Sequence, residues 1–466
     1  MKARKQTWKK YATGLRKDRT MAEYLIIGAD AAGLSAASQI KRKEPSADIK
    51  VINKGRIISY GACGIPYVIA KDIESPEELI HFSPESFERE RGIPVEIMKE
   101  AVSLAPEKCT VWIKNLLTGE MEAEEYGKLL IGTGASPRIL PHVDYSLEGV
   151  FNLHNIEDLY RICAYLEEKR PRRAAVIGAG NIGLELTEAL HRRGMDILLF
   201  EIMESPVAVW PRSVQKAAAK KIVEKGIRFF PQTGIDAVNK SGSSISIEAA
   251  GKQHTVDILF SVAGTKPCTD FCRDNLKTMD NGAITVDRKG RTSEKNVFAA
   301  GDCASAYHQV LNRIVYWPLG STANKMGRIA GLNMCGGDIS FPGVVGTQIF
   351  KFFELSMART GLSLSEARRE GMDVESISAD RPDKSSYLPG AKTANVEITA
   401  EKGTGRLIGA NVVCQGNAAQ FIDTAAAAVF MGMKVEDLGW FDSAYSPPFA
   451  PVWTALVEAA LKAAKI

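Results

Sequence analysis

Cys63 is the residue whose type and setting point most directly to chemistry. It lies in the run SYGACGIPY at residues 59–67, about thirty residues after a glycine-rich loop. A redox pair of cysteines would place a second thiol five residues away, but position 58 is isoleucine and position 68 is valine. A lone thiol forms an oxidised state only with an external sulfur or oxygen. We therefore expect the substrate to supply the partner atom.

The glycine-rich loop before Cys63 predicts a dinucleotide site. Residues 28–33, GADAAG, follow the apolar run 24–27 and precede the helix-like segment 34–42. This strand–loop–helix order brings backbone amides and a helix N-terminus close to a pyrophosphate. The match is incomplete, because Asp30 replaces the middle glycine and Asn53 stands where an acidic ribose ligand is expected.

A second glycine-rich loop, about 150 residues later, predicts a second dinucleotide. Residues 178–183, GAGNIG, form a full G-x-G-x-x-G between the apolar strand 174–177 and the amphipathic helix 184–193. Glu201 ends the next strand, 197–200. A carboxylate there accepts hydrogen bonds from both ribose hydroxyls and repels a 2′-phosphate, which favours NADH over NADPH.

Two further strand ends support a tightly held flavin beside an exchangeable nicotinamide. The turn at 131–137, IGTGASP, follows a strand, and residues 297–302, VFAAGD, end in a Gly-Asp pair. Asp302 would accept a hydrogen bond from the flavin ribityl chain, and Gly301 would let the backbone pass close to the cofactor. We therefore expect FAD and NADH as cofactors, with NADPH possible.

The order of these motifs predicts an α/β protein with two Rossmann-like domains and a C-terminal α+β domain. An FAD-binding domain is expected over 21–140 and 264–338, with an NAD(P)H-binding domain, 141–263, inserted into it. Residues 339–466 contain no nucleotide loop and are expected to form a dimerisation domain. Within it we predict strands at 350–360, 395–398 and 407–413, and helices at 417–433 and 451–465.

Composition and charge indicate an ordinary soluble globular protein. The chain has 466 residues, of which 45% are hydrophobic and 24% charged. No apolar run approaches the roughly 18 residues of a membrane span. Residues 1–20 hold eight Lys or Arg and one Asp, which is a net charge of +7. Because the whole chain carries +4, the remaining residues carry −3. We expect this basic leader to be disordered, and we expect neither nucleic acid nor membrane as a partner.

The cysteines predict a reducing, cytoplasmic environment. Eight are scattered over a long chain, which is not the pattern of a disulfide framework. Cys268 and Cys272 lack a second cluster of Cys or His nearby, so no metal site is expected.

From about residue 22 onward, the chain resembles the pyridine nucleotide–disulfide oxidoreductases, with a glutathione-reductase-like fold. Its motifs resemble the single-cysteine branch, which includes coenzyme A disulfide reductases, NADH oxidases, NADH peroxidases and persulfide reductases. The residues that carry the resemblance are SYGACGIPY, TGASP, GAGNIGLE, FAAGD and the segment PLGSTANKMGR at 318–328.

The resemblance implies a set of cofactor-binding residues. Those expected to contact FAD are Gly28, Asp30, Gly33, Asn53, Ser59, Thr133, Gly134, Gly301, Asp302, Ser321 and Ala323. Those expected to contact NADH are Gly178, Gly180, Asn181, Gly183, Glu185, Glu201 and Gly264, with Glu185 orienting the carboxamide. Asn181 departs from the tyrosine that often shields the flavin at this position.

The resemblance also favours one sub-branch. Peroxidases and related oxidases keep a histidine where this chain has Ala31, which makes peroxide handling less expected. Tyr387 and Tyr445 match tyrosines of coenzyme A disulfide reductases that are implied to reach the partner subunit's cysteine in a homodimer. One phenol would protonate a departing thiolate.

The expected reaction passes hydride from NAD(P)H to the flavin and two electrons on to a disulfide between Cys63 and a bound thiol. The thiolate of Cys63 needs a lowered pKa, which we expect from amides and the dipole of the helix-prone segment 65–70. Coenzyme A is expected as bound substrate or adduct. Arg42, Lys43 and Lys71 are candidates to meet its phosphates.

Three alternatives use the same motifs. Cys63 would serve equally in an NADH-dependent persulfide or polysulfide reductase. It would also serve in an NADH oxidase that reduces oxygen through a Cys63 sulfenic acid. Outside the enzymes, the chain would be a flavin electron-transfer or interaction protein with an idle thiol.

Overall fold

A computed structural model describes residues 21–466. The prediction made for residues 1–20 lies outside this range. Among the described residues, no helix is both long and apolar enough to cross a membrane.

The first sheet has seven strands and is built from two separate stretches of the chain. In spatial order they are Val95–Glu96, Ile49–Ile52, Ala22–Ile27, Met121–Ile131, Thr110–Asn115 and Lys99–Ala105, with Val297–Ala299 also pairing with Met121–Ile131. The strand after the Gly28 loop lies parallel to its neighbours, as a strand–loop–helix unit requires. Val297–Ala299 returns to this sheet after the whole inserted domain, also in parallel pairing.

The inserted domain has its own five-stranded parallel sheet. Its strands, in spatial order, are Arg228–Phe230, Asp196–Phe200, Arg173–Ile177, Ile258–Ser261 and Val150–Asn152. A three-stranded antiparallel meander packs on it, formed by Ala237–Ser241, Ser244–Ala249 and Lys252–Val256. Two two-stranded sheets complete the first two units: Ala135–Pro137 with Thr265–Pro267, and Ala306–His308 with Arg313–Val315.

The C-terminal sheet is antiparallel, and its strands run Gln348–Phe352, Leu355–Gly361, Leu407–Cys414, Thr393–Glu401 and Val374–Pro382 in spatial order. The strand predicted at 350–360 is two strands of a hairpin, because Phe353 adopts a left-handed φ of 53° and turns the chain. The edge strand Val374–Pro382 was missed, since a strand with one exposed edge needs little apolar sequence.

The helices of eight or more residues flank these sheets. They are Ala31–Lys43, Pro84–Arg91, Ile156–Lys169, Asn181–Arg192, Arg212–Glu224, Gly320–Met334, Ala419–Met431 and Ala455–Ala464. Shorter helices are Ile65–Ile69, Leu364–Arg369 and Val435–Trp440. The two predicted C-terminal helices are therefore confirmed with shorter ends, and Val435–Trp440 was missed.

The three sheets fall within the three predicted units, whose exact boundaries remain predictions. One apolar cluster fills the flavin-type unit, a second joins the inserted domain to the hairpin of the C-terminal sheet, and a third fills the rest of the C-terminal domain. Ile65, Val68 and Ile69 of the cysteine segment belong to the cluster of the inserted domain, not to that of the surrounding unit. The short helix after Cys63 is thus held by the domain that the sequence places next in the chain.

Candidate active site

The predicted flavin motifs converge on one place. Gly28 has φ +106°, and a Cβ there would overlap the carbonyl of Gly132 in the turn after the central strand. A Cβ on Gly301 would lie 3.0 Å from the Cβ of Ala32 and 3.3 Å from that of Ala323. The first glycine loop, the TGASP turn, the Gly-Asp pair and the helix at 320–334 therefore meet around a common centre.

The two glycine loops are held in the same way by different residues. The Asn53 Oδ1 accepts a hydrogen bond from the Ala29 N–H at 3.1 Å, and the Glu201 Oε2 accepts one from the Ala179 N–H at 2.7 Å. Glu201 Oε1 also accepts the Met203 N–H at 2.9 Å. Each predicted ribose ligand thus braces its own loop and keeps unused acceptor lone pairs for a ribose hydroxyl.

The amide group of Asn53 is committed to the backbone. It donates to the carbonyls of Gly55 at 3.1 Å and Ile57 at 3.3 Å. An amide in place of the expected carboxylate therefore has a local reason, since only a group with both donors and an acceptor satisfies all three backbone partners. Its predicted contact with the flavin ribose stays a prediction.

Cys63 lies in a single 3₁₀ turn, Ala62–Gly64, and is exposed. No second cysteine accompanies it in the segment, and none of the eight cysteines is in a disulfide. Burial of the sulfur, followed by the carboxylates of Glu185 and Asp302, raises the pKa of Cys63. The prediction of a pKa lowered by the following helix is wrong in direction. That helix, Ile65–Ile69, has only five residues, and two carboxylates face the sulfur.

Glu185 and Asp302 reach Cys63 from opposite parts of the structure. Glu185 lies on the helix of the inserted domain, and burial raises its pKa to about 7. Asp302 follows the strand Val297–Ala299, and burial raises its pKa while His154 opposes the change. The thiol therefore lies within electrostatic reach of both the helix that follows the second glycine loop and the Gly-Asp pair.

The cysteine segment is fastened to the inserted domain by polar contacts. Arg192 donates two hydrogen bonds of 2.6 Å to the carboxylate of Asp72, and Arg193 donates to the Ile69 carbonyl at 3.3 Å. The Tyr67 hydroxyl donates to Glu185 Oε1 at 3.4 Å. Sequence motifs give no signal for the contacts of Tyr67 and Asp72, because their partners are more than 100 residues away in sequence.

Tyr387 and Tyr445 lie close to each other, as two residues that act at one place must. The Tyr387 phenol lies close enough to that of Tyr445 to raise the pKa of Tyr445. The two loops are joined by the Ser385 N–H, which donates to the Pro447 carbonyl at 3.0 Å. Both side chains are exposed, at 71% for Tyr387 and 55% for Tyr445. They are therefore available to a molecule outside this chain.

The three candidate phosphate-binding residues are not brought together. Arg42 and Lys43 end the helix Ala31–Lys43, where Arg42 donates to Gln39 Oε1 at 2.9 Å. Lys71 forms an ion pair of 3.1 Å with Glu167 of the inserted domain. Only Arg42 and Lys43 share a helix with the first glycine loop, and all three assignments stay predictions.

The remaining predicted residues line the same two loops or the turns beside them. Ser59 has a left-handed φ of 50°, its N–H donates to the Ala29 carbonyl at 3.0 Å, and its carbonyl accepts the His81 N–H at 2.8 Å. Thr133 Oγ1 donates to the Cys268 carbonyl at 2.7 Å. The others lie at helix starts or within loops: Asp30, Gly33, Gly134, Gly178, Gly180, Asn181, Gly183, Gly264, Ser321 and Ala323.

The loops fit the two dinucleotides that the motifs imply. Gly180 has an ordinary φ of −71°, and a Cβ there would meet no atom of the chain within 4 Å. Neither backbone strain nor internal packing therefore calls for glycine at this position. A pyrophosphate that approaches the start of the helix Asn181–Arg192 would explain the glycine at position 180. Gly320, at the start of the helix Gly320–Met334, likewise has no atom within 4 Å of where its Cβ would lie.

One exposed thiol between two dinucleotide loops defines an oxidoreductase, and the comparisons with known proteins give the family. The chain matches the pyridine nucleotide-disulphide oxidoreductase family over residues 22–327 and the dimerisation domain of that family over residues 347–457. The protein belongs to the pyridine nucleotide-disulphide oxidoreductases.

The relatives include several sulfur-reducing proteins. A NAD(P)H sulfur oxidoreductase (CoA-dependent) of Pyrococcus furiosus is 34% identical over 443 residues, which cover 93% of this chain and 97% of that protein. A coenzyme A disulfide reductase of Staphylococcus epidermidis is 29% identical over 433 residues, covering 92% and 97%. The solved structure of a NAD-dependent persulfide reductase from A. fulgidus has a TM-score of 0.90 at 32% identity, covering 95% of this chain and 83% of that one.

Proposed function

We propose that the protein is an FAD-containing, NAD(P)H-dependent reductase of small sulfur–sulfur bonds, with coenzyme A disulfide as its substrate. The observation that carries the proposal is the exposed thiol of Cys63, which forms no disulfide and whose pKa is raised by burial and by the carboxylates of Glu185 and Asp302. A thiol without a cysteine partner in its segment must take its second sulfur from the substrate.

The groups that would hold the cofactors are those of the two loops. FAD would lie against Gly28–Gly33, Gly301 and the first turn of Gly320–Met334, and NADH against Gly178–Gly183 and Glu201. Bound FAD supplies hydride acceptance from the nicotinamide and transfer of two electrons to sulfur. Glu185, whose pKa is raised to about 7, would be about half protonated near neutral pH, and its neutral form would donate a hydrogen bond to the carboxamide.

Cys63 carries the sulfur chemistry. As a thiolate it attacks one sulfur of the substrate disulfide, which releases one thiolate and leaves a mixed disulfide on Cys63. When two electrons reach that bond, it breaks, the second thiol leaves and the Cys63 thiolate is restored. The exposure of Cys63 is what allows a bulky disulfide to approach along the line of the bond that breaks.

Tyr387 and Tyr445 supply the proton donor in this proposal, from the second subunit of a homodimer. Both side chains are exposed and lie close to each other, so one phenol can donate to a leaving sulfur while the other stabilises it. Large apolar side chains are exposed around them, as an interface requires: Trp440, Phe441, Phe449, Val452 and Trp453.

Coenzyme A as the thiol is supported by the names of the relatives and by charge. The relatives at 34% and 29% identity both have coenzyme A in their names. Arg42 and Lys43 place two exposed cations at the end of the helix that begins at the first glycine loop. A phosphate-bearing thiol extended along this helix would meet them.

The decisive test of the proposal is Cys63→Ser. The variant should lose coenzyme A disulfide reduction while its bound flavin is still bleached by NADH at the wild-type rate, because hydride transfer does not use the thiol. Stopped-flow absorbance of the flavin and release of free thiol measure the two steps separately. Disulfide turnover in the variant would contradict the proposal.

A persulfide of coenzyme A is the second candidate substrate. This substrate is favoured by two relatives, the sulfur oxidoreductase at 34% identity and the persulfide reductase at 32%. Both are more similar to this chain than the coenzyme A disulfide reductase at 29%. The rate of NADH oxidation is measured without oxygen, once with coenzyme A disulfide and once with coenzyme A persulfide, and then with oxygen as the acceptor. These three rates separate the two sulfur activities from that of an NADH oxidase. Titration of thiols before and after NADH addition detects an idle Cys63.

A further inference from the structure

The loop 201–210 joins a strand of the inserted sheet to the helix Arg212–Glu224 and lies beside the second glycine loop. The two loops are hydrogen-bonded twice through one residue. Ala179 donates its N–H to Glu201 Oε2 at 2.7 Å, and its carbonyl accepts the N–H of Val207 at 2.8 Å. Because Ala179 is fully buried, these contacts are shielded from water. The position of the loop 201–210 therefore determines the position of the glycine loop.

Val207 adopts an unfavourable backbone conformation within this loop. Its φ is 45°, in the left-handed region that a β-branched residue seldom occupies. Such a conformation costs free energy and persists only where the surrounding structure stabilises it. The Val207 side chain is buried in the apolar cluster of the inserted domain, and its carbonyl accepts the Trp210 N–H at 2.7 Å. The loop therefore depends on contacts that prevent Val207 from relaxing.

One of these contacts comes from the C-terminal sheet. Arg359, on the strand Leu355–Gly361, donates from Nη1 to the Val209 carbonyl at 2.9 Å. Its Nη2 donates to Glu366 Oε2 at 2.6 Å and to the Gly361 carbonyl at 3.3 Å. Arg359 is only 6% exposed. The guanidinium is thus fixed by its own domain and reaches across the domain interface to the loop.

The end of the loop is anchored at the same interface. Trp210 packs edge-on against Phe350 of the C-terminal hairpin, with ring centroids 4.8 Å apart. The Gln215 amide donates to the carbonyls of Ala208 at 3.1 Å and Trp210 at 2.7 Å. Three consecutive carbonyls therefore accept hydrogen bonds from side chains, and the middle one, that of Val209, accepts its bond from the C-terminal domain.

We propose that Arg359 is a positioning residue for the nicotinamide nucleotide, because it keeps the loop 201–210 in the conformation that aligns the second glycine loop. Arg359 fixes the Val209 carbonyl, and Val207, two residues earlier, fixes Ala179. Without Arg359, Val207 relaxes to a negative φ and withdraws its N–H from Ala179. A smaller fraction of the protein is then competent to bind, and the apparent Kd rises in proportion.

The test is a calorimetric titration of the flavin-loaded protein with NAD⁺, which binds without donating electrons. Arg359→Lys keeps a positive charge beside Glu366, but one ammonium cannot reproduce the two directions of the guanidinium. We expect the Kd for NAD⁺ to rise about tenfold, the effect of losing one charge-assisted hydrogen bond. In stopped-flow reduction by NADH, the half-saturating concentration should rise by the same factor. The limiting rate of flavin reduction should stay within about twofold of wild type.

Val207 provides variants that separate positioning from a general loss of stability. Glycine adopts a left-handed φ without strain, whereas alanine also loses the valine methyls but keeps the unfavourable φ. Combined with Arg359→Lys, Val207→Gly should return the Kd for NAD⁺ to within about threefold of wild type, and Val207→Ala should not. Equal Kd values for the two double variants would contradict the proposal.

Glu354→Gln is the matched control at the same domain interface. Glu354 lies at the tip of the C-terminal hairpin and accepts a hydrogen bond from Lys221 of the inserted domain, away from the loop 201–210. Its Kd for NAD⁺ should equal that of wild type. A wild-type Kd in Arg359→Lys, or an equal rise in Glu354→Gln, would overturn the positioning role.

The single variants of Val207 keep the proposal testable if Arg359→Lys fails to fold. Val207→Gly should bind NAD⁺ more tightly than Val207→Ala, because only alanine retains the strain that Arg359 opposes. Equal binding, or weaker binding by the more flexible glycine variant, would count against a loop conformation that has to be maintained.

This inference rests on the proposed nicotinamide site of the inserted domain and not on the sulfur substrate, so the two can fail separately. If Cys63→Ser retains disulfide reduction, the proposed function fails, whereas the NAD⁺ titrations still decide the role of Arg359. If Cys63→Ser is inactive and Arg359→Lys binds NAD⁺ as wild type does, the function stands and the positioning role is wrong.

Discussion

The surroundings of Cys63 disfavour ionisation of its thiol, and this defines what the neighbouring residues must do. Burial, Glu185 and Asp302 all raise the pKa of the thiol, although the attacking species is the thiolate. Exposure of the sulfur favours substrate access, but reactivity has to come from groups that remove the proton or from positive charge brought by cofactor or substrate. The single cysteine is therefore necessary but insufficient for the proposed chemistry.

Glu201 provides a prediction about nucleotide choice at the residue scale. Glu201→Gln keeps an oxygen for the Ala179 N–H but removes the charge that repels a 2′-phosphate. The ratio of kcat/KM for NADPH to that for NADH should therefore rise about tenfold, which corresponds to about 1.4 kcal/mol. Steady-state kinetics with both nucleotides measure the ratio. Glu204→Gln, in the same loop and exposed, removes an equal charge and should leave the ratio unchanged. An unchanged ratio in the Glu201 variant would show that this carboxylate only braces the loop.

At the scale of elements, the short helix Ile65–Ile69 explains why the cysteine segment depends on the inserted domain. A five-residue helix has too few internal hydrogen bonds to be stable alone. Its stability comes from packing of Ile65, Val68 and Ile69 into the core of the inserted domain and from the Asp72–Arg192 contact. The position of the thiol therefore depends on the inserted domain, which is the domain proposed to bind the nicotinamide. The cysteine segment and the nicotinamide site are thereby held by the same unit.

His308, at the end of the strand Ala306–His308, predicts a pH dependence of stability. Burial, then Arg359, lowers its pKa from 6.5 to about 4. A depressed pKa means that the folded state disfavours the protonated ring. The contribution is therefore complete above about pH 6.5 and is lost as the pH falls toward 4. Between pH 7 and pH 5, wild type should lose about 2 kcal/mol of unfolding free energy from this group.

The measurement is chemical denaturation at the two pH values for wild type, His308→Gln and His142→Gln. The His308 variant should lose about 2 kcal/mol less than wild type, because it has no buried imidazole to protonate. His142 is exposed, so its variant should follow wild type. Equal losses in wild type and the His308 variant would rule out this residue as the source.

At the scale of the whole molecule, the exposed side chains of Tyr387 and Tyr445 are available to a second chain. If the second subunit completes the site, inactive chains should complement one another. Chains with Cys63→Ser still present Tyr387 and Tyr445, and chains with both tyrosines changed to Phe still present Cys63. A heterodimer of the two would contain one complete site.

The experiment mixes the two inactive variants after reversible dissociation and measures coenzyme A disulfide reduction. Equal mixing should restore roughly a quarter of wild-type activity, since about half of the dimers are mixed and each has one of two sites intact. Each variant mixed with itself is the control. If mixing restores nothing while size analysis shows mixed dimers, the tyrosines act within their own chain or not at all.

Local sequence was sufficient for the parts of this protein that depend on local geometry. The glycine loops at 28–33 and 178–183, the turn at 131–137 and the Gly-Asp pair at 301–302 were all placed correctly at strand ends. Each depends on a backbone conformation that its own few residues dictate. The split of the flavin-type unit around an inserted domain also followed from the order of these motifs.

Contacts between distant segments were decided only by the tertiary structure. Tyr67 contacts Glu185, 118 residues away in sequence, and Asp72 contacts Arg192, 120 residues away. No spacing in the sequence predicts either pair. The direction of the Cys63 pKa change came first from burial and then from carboxylates that folding brings near the sulfur, which a motif cannot reveal. The sequence predicted which residues carry nucleotide-binding and thiol chemistry, because those need particular residue types at fixed local spacing. Packing decided their electrostatic environment, because burial and charge–charge distances exist only once the chain is folded.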